Sequence, residues 1–119
     1  MLSKEEIQSI VENRGEINQW LENKASILNG QKTFGYVVIY RKDPVYRVAY
    51  YNMYVANEDE SYLGVCELEL VSGDDCTSEN DFGSFKEALE YSEATYSCNR
   101  DSWALWDEIE QKYQESFFE

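Results

Sequence analysis

The apolar residues of this chain change their spacing twice, and these changes limit the folds open to it. From Ile7 to Leu28 they recur at steps of three and four residues, which is the spacing of one helix face. From about residue 33 the spacing becomes two, and the residues are β-branched and aromatic, as is typical of strands. Near residue 84 the helical spacing returns. Residues 1–119 are therefore predicted to form one α+β domain.

The first helix has a clear start signal and a clear stop signal. Ser3 and Glu6 have the spacing of a capping box, in which each side chain accepts from the other's backbone N–H. Asn29 and Gly30 suit the left-handed conformation that ends helices, so the helix is predicted to reach residue 28. Gly15 is then a weak point or a bend inside it.

Two further helices are predicted at the C-terminal end of the sequence. A second capping box at Ser84 and Glu87 begins a helix that runs to about Tyr96. Asp101 or Ser102 is expected to cap the last helix.

Three strands are predicted between the helices, over residues 34–40, 45–55 and 61–71. Their connections are short, which implies an antiparallel meander. In the third strand Glu67 and Glu69 alternate with apolar residues, so one sheet face is expected to meet solvent. The predicted fold is a three-stranded antiparallel sheet with one N-terminal and two C-terminal helices packed on one face.

Charge divides the sequence into two unlike halves. Residues 1–50 carry seven basic and six acidic side chains, whereas residues 51–119 carry three basic and eighteen acidic ones. Self-repulsion among the acids destabilises the compact state, so a cationic partner is expected to offset it. Nucleic acid and anionic membranes would be repelled, so neither is expected as a direct partner.

No catalytic, cofactor or metal site is predicted. The chain has no histidine, and it has no GxSxG, P-loop, GxGxxG or HExxH pattern. Its three cysteines show no CxxC spacing, and the acidic stretch 72–83 does not fit a calcium-binding EF-hand loop. Chemistry based on carboxylates alone stays open as an alternative. With no apolar run of membrane-spanning length and no signal-peptide pattern, a cytoplasmic protein is expected.

A partner-binding surface is predicted where the acids are densest. Between Arg47 and Lys86 the chain has no Lys or Arg. Carboxylates there would pair with cationic side chains and a tyrosine would anchor the contact. Because they belong to one predicted hairpin and its following loop, these residues are expected to share one edge. The predicted site residues are Glu58, Asp59, Glu60, Tyr62, Glu67, Glu69, Asp74 and Asp75.

In length and charge the whole chain resembles the small acidic proteins that phages use against restriction or CRISPR effectors, some of which mimic DNA. It is also similar in these respects to immunity proteins that neutralise nuclease toxins. The resemblance implies a stoichiometric inhibitor that covers the basic nucleic-acid-binding surface of a partner enzyme. The alternative is a non-inhibitory interaction or structural domain whose charge serves solubility. The sequence names neither the partner nor the oligomeric state.

Overall fold

The computed structural model describes residues 3–73 and 76–118, with only the backbone for residues 23–25. Within these residues the fold is α+β, with three α-helices and an antiparallel sheet in the strand order β1-β2-β3-β4. This class agrees with the prediction, whereas the predicted number of three strands is wrong. The elements are α1 (Lys4–Arg14), β1 (Glu16–Leu28), β2 (Gln31–Lys42), β3 (Val45–Tyr54), β4 (Ser78–Phe82), α2 (Phe85–Tyr96) and α3 (Trp106–Phe117).

The first helix has 11 residues, less than half the predicted length, because Gly15 ends it. Gly15 has a left-handed φ of 93°, and its N–H donates to the carbonyl of Val11 at 2.8 Å. Glycine adopts this conformation without the steric cost that a Cβ brings. The apolar residues beyond it, Ile17 and Leu21, lie in β1. Their spacing of four also places them on one face of a strand, so the spacing alone did not distinguish the two structures.

The predicted strands at 34–40 and 45–55 are the central strands β2 and β3. The predicted strand at 61–71 is wrong, since this stretch contains a 3₁₀-helix at Val65–Glu67 and a single bridge from Leu70 to Met53. The fourth strand instead comes from the acidic stretch 72–83, in which Ser78–Phe82 form β4. There Arg47 of β3 donates to both carboxylate oxygens of Asp81, at 2.6 and 2.9 Å, and so supports an acidic edge strand.

Helices cover both faces of the sheet, which corrects the prediction that all of them pack on one face. One face packs on α1 and α2, and the other packs on α3 and the 3₁₀-helix at Val65–Glu67. As a result β2 is buried continuously from residue 33 to residue 39. Continuous burial is expected of a strand that is covered on both sides.

The last helix begins later than predicted. Its N-cap is Leu105, whereas Asp101 and Ser102 belong to a separate 3₁₀ turn at Arg100–Ser102. Its buried residues Ile109 and Tyr113 contact the second face of the sheet.

None of the helices in the described part of the chain has the length and apolar character needed to cross a membrane.

Candidate partner-binding surface

The predicted acidic residues that the structure describes lie on one segment after β3. This acidic segment, residues 57–71, forms 3₁₀-helices at Glu58–Glu60 and Val65–Glu67 and then returns to the sheet at Leu70. It is not the regular hairpin that was predicted. Asp74 and Asp75, the two remaining acids of the predicted site, lie outside the described residues.

Helix α3 fixes the middle of the acidic segment. The N–H of the fully buried Val65 donates to both carboxylate oxygens of Glu110, at 3.0 and 3.2 Å. Farther along the helix, the side-chain amide of Gln114 donates to the carbonyl of Ser61 at 3.0 Å. Because a charged acceptor strengthens a hydrogen bond, Glu110 is the main polar connection between the segment and the helix.

Replacing Glu110 with Ala should destabilise the fold by about 1–3 kcal/mol, because a buried N–H loses its charged acceptor. Urea unfolding would measure this cost, and hydrogen exchange should show faster exchange of the Val65 amide. Glu110→Gln keeps an acceptor and should cost less. Glu108→Ala, an exposed change on the same helix, should stay within about 0.5 kcal/mol. Equal effects of the alanine changes at 108 and 110 would contradict the assigned connection.

The acidic segment borders a groove next to the end of β3. This acidic groove has a volume of about 350 Å³, and Glu60, Glu67 and Glu69 line it. Glu58 lines an adjoining cavity of about 240 Å³, which shares residues 55–57 with the groove. The structure therefore brings four of the predicted acids to two adjoining depressions.

The carboxylates of the acidic segment have no cationic partner among the described residues. Within residues 3–73 and 76–118, no ion pair involves the five acids from Glu58 to Glu69. Glu60 accepts from the Asn57 amide, at 3.2 Å, and Glu67 accepts from the backbone N–H of Gly64, at 3.0 Å. Neither donor is charged, so these bonds leave the negative charge of both carboxylates in place. Tyr62, the predicted anchor, is 78% exposed beside them.

A second groove was not predicted. This aromatic groove, with a volume of about 660 Å³, lies on the sheet face that α3 covers in part. The ring of Tyr36 on its wall stacks on that of Tyr51, with centroids 4.8 Å apart, and meets Trp106 edge-on at 5.4 Å. Glu16 and Tyr40, which are paired across β1 and β2, line the same groove as Tyr36 and Tyr51.

The strand register explains why this groove is present. Tyr36 of β2 pairs with Tyr51 of β3. The next pair on the same sheet face, two residues farther along β2, is Val38 with Ala49, and both of these side chains are smaller than tyrosine. This small pair leaves a depression between bulky neighbours. The sequence signal was the alternation of Tyr36, Val38 and Tyr40, which indicates large, small and large side chains on one face.

Burial also changes the acid–base properties of the aromatic groove. It raises the pKa of Glu16 above its ordinary value of 4.5. It raises the pKa of Tyr51 and that of the Cys66 thiol as well, with smaller contributions from nearby groups that include the charge of Glu16. The Cys66 residue as a whole is exposed, and it lies on the wall of the groove. The negative charge of Glu16 therefore destabilises the folded state.

Glu16→Gln should make the protein more stable at pH 7, by less than about 1 kcal/mol because solvent screens this half-buried group. A carboxyl with a raised native pKa binds more protons in the folded chain, so the cost of its charge disappears as pH falls through that pKa. The advantage of the variant should therefore shrink on acidification and vanish below pH 4.5. Urea unfolding of both proteins between pH 4 and 7 checks this. A variant that is less stable at every pH would contradict it.

Comparison with protein-family models, with curated proteins and with solved structures finds no match to this chain.

Proposed function

We propose that this chain is a non-catalytic acidic binding protein that acts as a stoichiometric inhibitor. In this proposal the acidic segment covers the basic surface with which a partner protein binds nucleic acid. The observation that carries the proposal is the set of carboxylates at the acidic groove, none of which has an ion pair in the described chain. Charges left unpaired on an ordered surface suit recognition of a cationic surface.

The overall charge supports the same function. A net charge of −14 on 119 residues gives a long-range field that attracts a basic surface and accelerates association. The carboxylates would occupy positions that phosphates take in the nucleic acid, which is the sense in which the chain would mimic DNA. An immunity protein directed at a nuclease toxin would use the same surface, and the identity of the partner separates the two cases.

The contact has an apolar component next to its charges. The cavity beside Glu58 is also lined by Phe117 and Phe118, and exposed Ile27 lies in the strand that leads to the adjoining turn at Gly30. Interfaces commonly combine an apolar centre with a charged rim. The acidic segment would therefore make association fast and specific, and these apolar side chains would bury apolar surface in the contact.

Affinity capture from a host-cell lysate tests the proposal. Immobilised chain should retain a basic nucleic-acid-binding protein at low salt, and raising the salt concentration should release it, because the contact is largely electrostatic. Mass spectrometry identifies the retained protein. Retention of only neutral or acidic proteins, unchanged by salt, would contradict the inhibitor function and favour an interaction domain whose charge serves solubility.

A further inference from the structure

The aromatic groove adjoins the proposed acidic contact without being part of it. Leu68 of the acidic segment lines both the aromatic groove and the acidic groove. Its neighbours Glu67 and Glu69 line the acidic groove, and Leu70 lines the aromatic one. One short stretch of chain thus borders both grooves, and a partner bound at the carboxylates would lie beside the aromatic groove.

The walls of the aromatic groove favour a flat cation on an apolar stem. Ring faces attract a cation that lies within about 6 Å of them. Leu68 and Leu70, which are partly exposed on its wall, offer an apolar surface for a methylene chain. Glu16 is the one acid among the described residues that line this groove, and burial disfavours its charge until a cation pairs with it.

We infer that the aromatic groove takes an arginine side chain of the basic partner, with the guanidinium stacked on an aromatic ring and paired with Glu16. This inference rests on the proposed function, since it assigns one residue type of the same partner to this groove. A guanidinium fits better than an ammonium, because it is planar, stacks on rings and forms two parallel hydrogen bonds with a carboxylate. The groove is open to solvent, which suits a side chain attached to a polypeptide.

Arg14, which lines the same groove, carries the same positive charge as the arginine side chain of the partner. It lies at the end of α1 among the residues that line the groove, and it has no ion pair within the described residues. Its guanidinium repels an incoming arginine and competes with it for Glu16. Removing the charge of Arg14 should therefore strengthen binding, whereas removing the charge of Glu16 should weaken it.

Titration with short peptides tests this inference without the partner. The probe is an acetylated and amidated Gly-Arg-Gly tripeptide, and the matched control carries citrulline, which has nearly the same shape but no charge. NMR spectra of labelled protein should show the indole N–H signal of Trp106 moving on titration, whereas those of Trp20 and Trp103 stay in place. The arginine peptide should bind roughly threefold to tenfold more tightly than the citrulline peptide.

Four variants complete the test. Glu16→Gln and Tyr51→Leu should each weaken binding of the arginine peptide roughly threefold to tenfold. Arg14→Gln should not weaken its binding. Glu67→Gln with Glu69→Gln should leave the shift of the Trp106 signal in place. Should Tyr51→Leu fail to fold, Glu16→Gln still decides the question, because it is expected to be more stable than the parent at pH 7.

Two results would overturn the inference. One is no movement of the Trp106 signal at about 20 mM peptide, and the other is equal binding of the arginine and citrulline peptides. Either result leaves the acidic contact standing, because no partner takes part in the assay. Peptide binding together with failed capture of any basic protein would instead overturn the proposed function and keep the groove as an arginine site.

Discussion

Replacing Glu67 and Glu69 together with Lys should weaken binding of the captured partner by roughly 10- to 100-fold at low salt. Each rim charge contributes about 1 kcal/mol or less, and reversal adds repulsion to the lost attraction. Most of the change should lie in the association rate, because long-range attraction acts before contact. Surface plasmon resonance across a salt titration would measure both rates, and the difference between wild type and variant should shrink as salt rises.

The matched control reverses two other exposed acids, Glu87 and Glu90, on α2. This helix packs on the opposite face of the sheet, and the variant has the same net charge as the first. It should retain most of the affinity. Equal losses in the two variants would mean that total charge, rather than the acidic segment, governs binding. The pair Glu67→Gln and Glu69→Gln should slow association less than the reversal, and it keeps an acceptor for the N–H of Gly64.

Replacing Tyr113 with Ala should destabilise the protein by about 3–5 kcal/mol, the largest cost expected of any single change considered. The ring is fully buried between α3 and the sheet, with its centroid 5.0 Å from that of Phe34. Its hydroxyl also accepts from the N–H of Ala56 at 3.0 Å, just before the acidic segment. Urea unfolding monitored by circular dichroism would measure the loss.

Two companion variants separate the contributions at this position. Tyr113→Phe removes only the hydroxyl and should cost about 1 kcal/mol. Tyr62→Ala, at a tyrosine that is 78% exposed, should change stability by less than about 0.5 kcal/mol. A cost below about 1 kcal/mol for Tyr113→Ala would contradict the packing of α3 on the second sheet face.

The sequence predicted the α+β class and both central strands, because their signals are local. It also contained the evidence against a bare sheet face. The unbroken apolar and aromatic run around Val37 is typical of a strand covered on both sides. In the structure Tyr36, Tyr46, Tyr96 and Tyr113 are buried.

The wrong predictions concern structure that is held by contacts between distant parts of the chain. β4 is an acidic stretch of low strand propensity, and its pairing with β3 depends on Arg47, which lies 34 positions before Asp81. Likewise, the acidic segment depends on Glu110 of α3, 45 positions after Val65, rather than on a hairpin ladder. Proximity in sequence was enough to predict that the acids cluster. Proximity in sequence was not enough to predict the acidic groove that they line, or the aromatic groove beside it.

Displacement of nucleic acid from the captured partner tests the central claim most directly. The partner is loaded with a fluorescently labelled duplex, the chain is added in steps, and anisotropy reports the bound fraction. An inhibitor that covers the nucleic-acid-binding surface should lower the anisotropy to the value of free duplex at one equivalent of chain. Anisotropy that stays at the value of bound duplex when the chain saturates the partner would contradict the account, because duplex and chain would then occupy separate surfaces.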